Sequence, residues 1–566
     1  MTIQETIKSG FGSWTSQIKE DLKVEKGCGD DADGRQWSNQ DLDPTPPHQR
    51  TWQWYNYLLY FVGTGFNNWQ GGSSVIGVGL GWKTAIAIAF IVQSISGIVQ
   101  AANSQASSRY HLGFPAIARM VYGMWGSSYQ VAIRSILAAV WYATKIFEGA
   151  SYLDIMMRCV FGSSYMNIPN GVPESVGYTT RGFLCYFLLW MVYTPFLFRR
   201  PYQLRNLFTM SCVASFPSVI GLFIYCIASS KGQLGLDENV GTERTSGSST
   251  AWLVVYTMSS SISNGAAYIE SVPDVARWAA KPTAVIPPTL FCNMLWNPMS
   301  AVLGILGTSA LQSKTGMTLW KPWDIMSYIL DNNWNSGVRF GVFLMSFCWT
   351  FLTFSQNISS NMIPFGADVS MLWPKHLTMT RGYIVVHFLA WCICPWKIYV
   401  SATTFLDFMG AYGIFMGPAV SIMLVEYYLI SRGNIFVRSL YIGNSSNPNY
   451  WYYRGWNVQA YVAYVAAVGL CMIGFVNKVG AMVPAAGERI GYLGWFLSFF
   501  TGGIVYYLVN LVYPHPNAKS TKGLKWEERV QEEEVIHSVD VSDESVEGEA
   551  YVNVGNKALK PVFEQY

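Results

Sequence analysis

The chain has 566 residues, of which 51% are hydrophobic and only 13% are charged, about half the roughly 25% usual in soluble domains. The formal net charge of +3 is too small and too dispersed for a nucleic-acid-binding protein, so we expect no nucleic-acid partner. Ten scattered cysteines and six dispersed histidines show no metal-site spacing, and we expect no metal, no cofactor and no enzymatic centre. This composition predicts an all-α polytopic membrane protein embedded in a lipid bilayer.

Residues 1–52 are polar and lack hydrophobic periodicity, which predicts a cytosolic N-terminal tail. The tail ends in the sequence NQDLDPTPPHQRTW (Asn39 to Trp52), where three prolines in a short span prevent a helix.

The first apolar segment begins near Trp54 and carries polar residues in its middle. It is apolar at both ends, yet it holds Asn67, Asn68, Gln70 and six glycines between positions 63 and 79. Helices interrupted at membrane depth are tolerated where they line a cavity, because the freed backbone groups need partners. We therefore predict a broken first helix. Glycines that serve close helix packing are the alternative explanation.

Eleven further segments are long enough to cross roughly 30 Å of hydrocarbon, giving twelve spans. They cover residues 84–104, 129–158, 181–199, 206–229, 251–272, 283–311, 338–364, 382–400, 403–430, 457–477 and 489–513. An even number places both termini on one side, and the basic residues of the tails and of one set of loops predict that this side is cytoplasmic. We assign residues 53–430 to a transporter core of ten spans, residues 431–513 to the last two spans, and residues 514–566 to a cytosolic C-terminal tail.

The third span carries two opposite charges near its middle, Lys145 and Glu148. An ionisable side chain in hydrocarbon costs roughly 2.5 to 3.5 kcal/mol on insertion scales, so both should face the interior of the bundle. Trp141 shares their helical face, and an aromatic plane beside a donor and an acceptor could hold a small polar ring. Two hypotheses stay open: Lys145 and Glu148 form a structural pair, or Lys145 also donates to the substrate.

The sixth span repeats the oddity of the first, with a polar run from Ser259 to Asn264, then Gly265, and Glu270 beyond it. Two broken helices five spans apart predict an inverted-repeat transporter, in which substrate and coupling ion lie beside the breaks. From this placement we predict four substrate-binding residues at the breaks: Trp69, Gln70, Asn264 and Gly265.

The eighth span adds two amides, Asn357 and Asn361, which share a face because they are four residues apart. An amide offers donors and an acceptor to the edge of a heterocycle, so both are predicted to bind substrate. The alternative is that these amides bond neighbouring helices.

Several longer motifs point to one family. They are NQDLDPTPPHQRTW, FNNWQ, YHLGFPAIAR, VWYAT, VPDVARWAAKP, QNISSN and CICPWK. Together they resemble the nucleobase:cation symporter-1 family, in the fungal branch of uracil, uridine and allantoin permeases. The resemblance implies twelve spans, a five-plus-five inverted repeat in the first ten, and coupling to protons.

Position by position, the resemblance implies that Trp141 stacks on the substrate ring and that Asn361 faces it. Lys145 stands where relatives commonly place a glutamine, and Gly265 where they commonly place a second aromatic residue, so the exact substrate stays open. Gln356 replaces a small hydroxyl residue that binds sodium in bacterial relatives, which favours proton coupling.

These observations predict a plasma-membrane importer of a nucleobase-like or ureide heterocycle such as uracil, allantoin or uridine, driven by proton symport. Glu148, Glu270 and Lys145 are the predicted proton-coupling residues. The alternatives are a permease of the same family for a vitamin or nucleoside, of the thiamine or nicotinamide riboside type, and a nutrient receptor on a transporter scaffold.

The lysines of both tails are predicted acceptors for a ubiquitin ligase that controls endocytosis, as the resemblance implies for fungal permeases. Ordinary solvated charge is the alternative. The C-terminal lysines concerned are Lys519, Lys522, Lys525, Lys557 and Lys560.

Overall fold

The structure is a computed structural model that describes residues 22–23, 37–39, 42–66, 68–199, 204–235 and 250–530. Within these ranges the regular secondary structure is helical, and β-pairing is confined to two isolated bridges. The helices are α1 Trp54–Gly65, α2 Asn68–Gly77, α3 Trp82–Asn103, α4 Gln105–Tyr110, α5 Phe114–Tyr122, α6 Ser127–Phe161, α7 Ser163–Met166, α8 Thr180–Tyr193, α9 Arg205–Ser229, α10 Thr250–Asn264, α11 Ala266–Ala276, α12 Ile286–Phe291, α13 Asn297–Thr315, α14 Pro322–Asn332, α15 Ser336–Asn357, α16 Ile363–Leu372, α17 Met379–Leu389, α18 Ala402–Val425, α19 Val458–Lys478, α20 Ala485–Val512 and α21 Pro516–Thr521. The all-α fold is the one predicted from the sequence.

Eight helical stretches in the described residues are long and apolar enough to cross a membrane. They are Trp82–Tyr110, Thr180–Phe198, Asn206–Ser229, Pro282–Thr315, Ser336–Leu372, Ala402–Ile430, Val458–Lys478 and Ala485–Val512. The other four predicted spans are the two broken helices, the charge-bearing α6 and the short α17. The count of twelve therefore stays a prediction.

The ninth predicted span, 382–400, is wrong as a continuous helix. Its helix α17 ends at Leu389, and turns follow it. Cys394 then adopts a left-handed backbone with φ of 52°, directly before Pro395. A residue that precedes proline is disfavoured in the right-handed helical region, so the chain does not continue α17 here.

Both predicted helix breaks are confirmed. The first lies between α1 and α2, which end and begin at Gly65 and Asn68, and Asn67 lies outside the described residues. The second lies at Gly265, between α10 and α11. Each break frees backbone groups that a continuous helix would bond internally.

Close helix packing also uses the glycines of this region, as the alternative explanation proposed. Helix α2 packs against α13, and a Cβ atom built on Gly72 would lie 2.5 Å from the Ala301 carbonyl oxygen. From the other side, a Cβ on Gly304 would overlap the Trp69 carbonyl oxygen. These glycines hold the half-helix that follows the first break against α13.

The described parts of both terminal segments pack on the same face of the helix bundle. On the N-terminal side, Arg119 donates from Nη1 to the carbonyl oxygens of Trp37 and Leu440, at 2.8 and 3.0 Å. On the C-terminal side, Glu527 pairs with Arg109 at 2.6 Å. The described residues of both terminal segments thus lie on one face, and that both termini lie on one side of the membrane stays a prediction. That this face is cytoplasmic stays a prediction, and so do the proposed domain boundaries.

Candidate functional site

A cavity of about 140 Å³ lies beside both helix breaks. Its wall brings together seven of the residues that the sequence predicted for the site. They are Gln70, Trp141, Lys145, Glu148, Asn264, Gly265 and Asn361. The breaks make this arrangement possible, because they place the ends of four half-helices around one cavity.

Trp141 supplies the aromatic plane of the cavity. Its indole is 7% exposed and packs edge-on against Phe408 and Tyr412 of α18, with ring centroids 6.0 and 6.4 Å apart. Edge contacts of this kind hold a ring in a fixed orientation. The indole nitrogen lies beside the Tyr412 hydroxyl, its polar neighbour on α18.

Lys145 and Glu148 form the ion pair that the sequence predicted. The Lys145 ammonium lies 2.7 and 3.0 Å from the two carboxylate oxygens of Glu148, and the Tyr399 hydroxyl also donates to this carboxylate. Both charges are almost fully buried, and the ammonium lies 5.8 Å from the centre of the Trp141 ring. The pair therefore presents no net charge to the cavity, while an ammonium carries three donors and can also reach a ligand.

The two asparagines of the eighth predicted span have different surroundings. Asn361 lines the cavity and donates from Nδ2 to Oδ1 of Asn357 at 2.8 Å. Asn357 is fully buried outside the cavity wall, and it donates to the Tyr142 carbonyl and the Tyr193 hydroxyl. Asn357 thus bonds neighbouring helices and orients Asn361, and the structure does not place it in the substrate space predicted for it.

Trp69 also lies outside the cavity wall, although its neighbour Gln70 lines it. Adjacent residues of a helix point about 100° apart, so the two side chains face different sides of α2. The Trp69 ring is fully buried, edge-on to Trp349 at 6.2 Å and against Gly307. The structure gives Trp69 a place in the packing between helices instead of the substrate contact predicted from the sequence.

Glu270 belongs to a second buried charged cluster and does not line the cavity. It lies one helical turn before Asp274, whose carboxylate pairs with Arg134 at 2.7 Å. Arg134 also binds Asp368, through its Nε at 2.9 Å and through a second nitrogen. The sequence analysis missed Arg134. Its signal was a charged residue near the start of a predicted span, which calls for a buried partner.

Gln356 connects the eighth predicted span to the first break. Its side chain donates from Nε2 to the carbonyl oxygen of Thr64 at 3.2 Å. Thr64 lies in the last turn of α1, where carbonyl oxygens have no partner within their own helix. A side-chain amide of this chain therefore satisfies a backbone acceptor at the break.

Sequence reasoning missed one polar wall of the cavity. Gln93 and Gln100 line it from α3, Asn293 lines it from the turn between α12 and α13, and Asn297 lines it from the start of α13. Their spacing was the available signal. Two glutamines seven residues apart and two asparagines four apart each share a helical face.

Comparisons with known proteins give a consistent family. Residues 44–498 match a family model described as permease for cytosine/purines, uracil, thiamine, allantoin. The chain is 31% identical to the allantoin permease of Saccharomyces cerevisiae, over 86% of this chain and 77% of that protein. It is 29% identical to the uracil permease of the same yeast, over 82% of this chain and 74% of that protein.

Among solved structures, the fold is similar to that of Mhp1, a nucleobase-cation-symport-1 family transporter in a closed conformation with bromovinylhydantoin bound. The TM-score is 0.68, and the match covers 88% of this chain and 99% of that one. At 16% sequence identity this likeness concerns the fold alone.

Proposed function

Because the chain belongs to the family of permeases for cytosine and purines, uracil, thiamine and allantoin, we propose that it imports a nucleobase-like or ureide heterocycle by proton symport. The family is one of membrane transporters, so the chain is a transporter and not an enzyme. The yeast relatives support the plasma membrane as its location.

The observation that carries the proposal is the content of the cavity at the two breaks. An aromatic plane, Trp141, lies beside a charge-neutral ion pair and several side-chain amides. A planar ring with N–H and C=O groups on its edge can stack on the indole and exchange hydrogen bonds with Gln70 and Asn361. A substrate with a net charge finds no unpaired charge of opposite sign on the cavity wall that the described residues form.

Two features support proton over sodium coupling. The Gln356 amide already donates to the Thr64 carbonyl at the first break, and a sodium ion bound there would take backbone oxygens of this kind as ligands. Within the cavity, the Glu148 carboxylate and its partner Lys145 are the groups that we propose for proton coupling. Glu270 would act through its neighbour Asp274 and the arginine bound to it.

Uptake in cells that lack their own transporters tests the substrate class. We expect saturable uptake of radiolabelled uracil, allantoin or uridine. Uptake of thiamine or nicotinamide riboside alone would instead identify a vitamin or nucleoside permease. If the protein reaches the cell surface and binds one of these compounds without transporting it, the protein would be a receptor.

The coupling ion is tested with the same cells. We expect uptake to rise as the medium is acidified and to collapse with a protonophore. Replacing sodium by choline should leave the rate unchanged. Loss of uptake in choline medium would contradict proton symport and leave the substrate assignment standing.

The tail lysines support a further part of the proposal, a ubiquitin ligase as partner. Lys519, Lys522 and Lys525 are exposed on the face that carries both described terminal segments, while Lys557 and Lys560 lie outside the described residues. Replacing all tail lysines with arginine should keep the transporter at the surface after substrate is added. Unchanged internalisation would contradict this partner.

A further inference from the structure

One side of the cavity is a wall of four amides, which we call the amide wall: Gln93, Gln100, Asn293 and Asn297. The two glutamines lie on one face of α3. The two asparagines lie at a π-helical turn, Cys292–Trp296, and at the start of α13. π-helical turns are frequent at functional sites. The turn brings Asn293 against Gly97 and Gln100 of α3.

Three of the four amides are joined in a row. Asn297 donates from Nδ2 to Oδ1 of Asn293 at 3.1 Å, and Asn293 donates from Nδ2 to Oε1 of Gln100 at 2.6 Å. Gly97 permits this contact, because a Cβ there would lie 2.6 Å from Cβ of Asn293. The row holds the amides in fixed orientations.

Several hydrogen-bonding groups of the wall remain unused. Oδ1 of Asn297 is buried without a partner within the described ranges. The row engages only Oε1 of Gln100, and the donors on its Nε2 bond no residue that the structure describes. Gln93 faces the cavity and makes no hydrogen bond to the described part of the protein. Buried polar groups are rarely left without partners, so Oδ1 of Asn297 calls for a donor, while the half-buried Gln93 offers its amide to a ligand in the cavity.

Gly265 leaves the part of the cavity beside the amide wall open. A Cβ built there would meet only the Ile262 carbonyl oxygen at 3.6 Å and Oγ of Ser96 at 3.9 Å. Ser96 lies on α3, between the two glutamines of the wall. A large side chain at position 265 would occupy the space beside Ser96, and glycine leaves it free.

We propose that the amide wall is the specificity-determining part of the site and binds a ureido or carboxamide arm on the substrate, while Trp141 holds the ring. This inference rests on the proposed function, since it describes the same cavity. It adds residues of α3 and α13 to the site.

The chemistry of the wall favours a neutral planar arm. A ureido group has a carbonyl acceptor and N–H donors at fixed spacing, and each primary amide offers the matching donor and acceptor. No charged residue belongs to the wall, so a charged arm would lose its hydration without a counter-charge. The cavity, about 140 Å³, is well below the roughly 300–1,000 Å³ of sites for drug-sized ligands, which favours a short arm over a sugar.

Two compounds with the same ring test the inference in transporter-deficient cells. Hydantoin is the ring alone, and allantoin is that ring with a ureido arm. For the wild type we expect KM for hydantoin to exceed KM for allantoin by about tenfold. Gln93→Met and Asn297→Leu should each bring this ratio down by about fivefold, toward one. Trp141→Ala should raise both KM values and keep their ratio.

Two results would overturn the inference alone, because the proposed function would survive them. The first is equal KM for both compounds in a wild type that transports them. The second is a ratio that Gln93→Met leaves unchanged. The wild type could instead prefer uridine over uracil and lose this preference in Gln93→Met. The amide wall would then bind a sugar and not a ureido arm.

No uptake of any ring compound by a surface-expressed wild type would overturn the proposed function itself. If Asn297→Leu misfolds, Gln93→Met still tests the inference. The Gln93 side chain bonds no other described residue, so its replacement should not disturb folding.

Discussion

Trp141 is held at the cavity wall by two rings of α18. Phe408 and Tyr412 pack against the indole, with ring centroids 6.0 and 6.4 Å from its own, and the indole itself lines the cavity. Aromatic contacts of this kind fix the orientation of a ring. The indole therefore presents a ring of fixed orientation to the cavity.

Removal of this surface should weaken substrate affinity. We expect Trp141→Ala to raise KM about fivefold, because a lost aromatic contact costs on the order of 1 kcal/mol. Trp141→Phe is the matched control, since it keeps a ring at the same place. The measurement is the concentration dependence of uptake, corrected for the amount of protein at the surface. Wild-type KM for the alanine variant would rule out stacking.

Lys145 stabilises the fold through its ion pair with Glu148, a role that its position in the sequence left open. Its partner Glu148 is 1% exposed on its side chain. Removing one member of a buried ion pair costs about 3 to 5 kcal/mol, because the other charge stays behind unpaired. We expect Lys145→Gln to lower the surface level sharply.

The double variant Lys145→Gln/Glu148→Gln should restore the surface level. A glutamine at 148 removes the stranded charge and still accepts from the Tyr399 hydroxyl, which a leucine there would leave without a partner. Surface labelling of both variants is the measurement. A well-expressed single variant whose selectivity shifts toward neutral rings such as uracil would favour the recognition role instead.

Among single side chains, the sequence predicted which residue types lie near the site better than it predicted which side chains point into the cavity. Trp141, Lys145 and Asn361 line the cavity, because charges and amides within spans must face the interior. Trp69 and Asn357 do not, because a polar or aromatic residue beside a break can equally bond a neighbouring helix. Only the rotation of each helix decides between the two.

Among the helices, the close contact between α2 and α13 is the feature most sensitive to substitution. Gly304 lies directly against the Trp69 carbonyl oxygen, so even one added methyl group must push the two helices apart. We expect Gly304→Ala to destabilise the protein by about 1 to 3 kcal/mol and to lower its melting temperature in detergent.

Gly341→Ala is the matched control for this prediction. Gly341 lies within α15, and nothing lies within 4 Å of a Cβ built on it. Alanine there should be neutral or slightly stabilising, because it restricts the unfolded chain and favours a helix. Equal melting temperatures for the two variants would show that α2 and α13 can separate without cost.

Helix breaks were predictable from the sequence, and the early end of α17 was not. Glycines and asparagines in the middle of an apolar segment mark a break, since such residues weaken a helix and serve a cavity. Helix α17 ends at Leu389, and the apolar residues that follow it form turns, so hydropathy did not mark its end. Pro395 marks only a later limit, because the residue before a proline is disfavoured in the helical region.

Across the protein as a whole, the segment after α20 is part of the folded structure, although the sequence predicted a cytosolic tail beginning at residue 514. Glu426 is fully buried, and His515 and Asn517 bind its carboxylate at 3.1 and 2.8 Å. Further along, Trp526 stacks on Tyr428. The segment is polar and therefore resembles a tail in the sequence. Its polar groups bond partners that are distant in the sequence, so the sequence alone did not show that it is packed.

Two truncations separate the packed part of this segment from the residues beyond it. A chain that ends after Val530 keeps every partner of Glu426, so we expect a wild-type surface level and uptake rate. A chain that ends after Tyr513 removes His515 and Asn517 and leaves a buried carboxylate short of two partners, which costs several kcal/mol when the group stays charged. We expect this shorter chain to be retained inside the cell and to unfold at a lower temperature in detergent.

The cause of that retention is tested by neutralising the stranded carboxylate. Adding Glu426→Gln to the shorter chain should recover part of the surface level, because a neutral amide tolerates burial better than a carboxylate. The same substitution in the longer chain is the control, and there it should lower the surface level, since His515 then loses its acidic partner. If the shorter chain reached the surface as well as the longer one, the segment would be a tail after all.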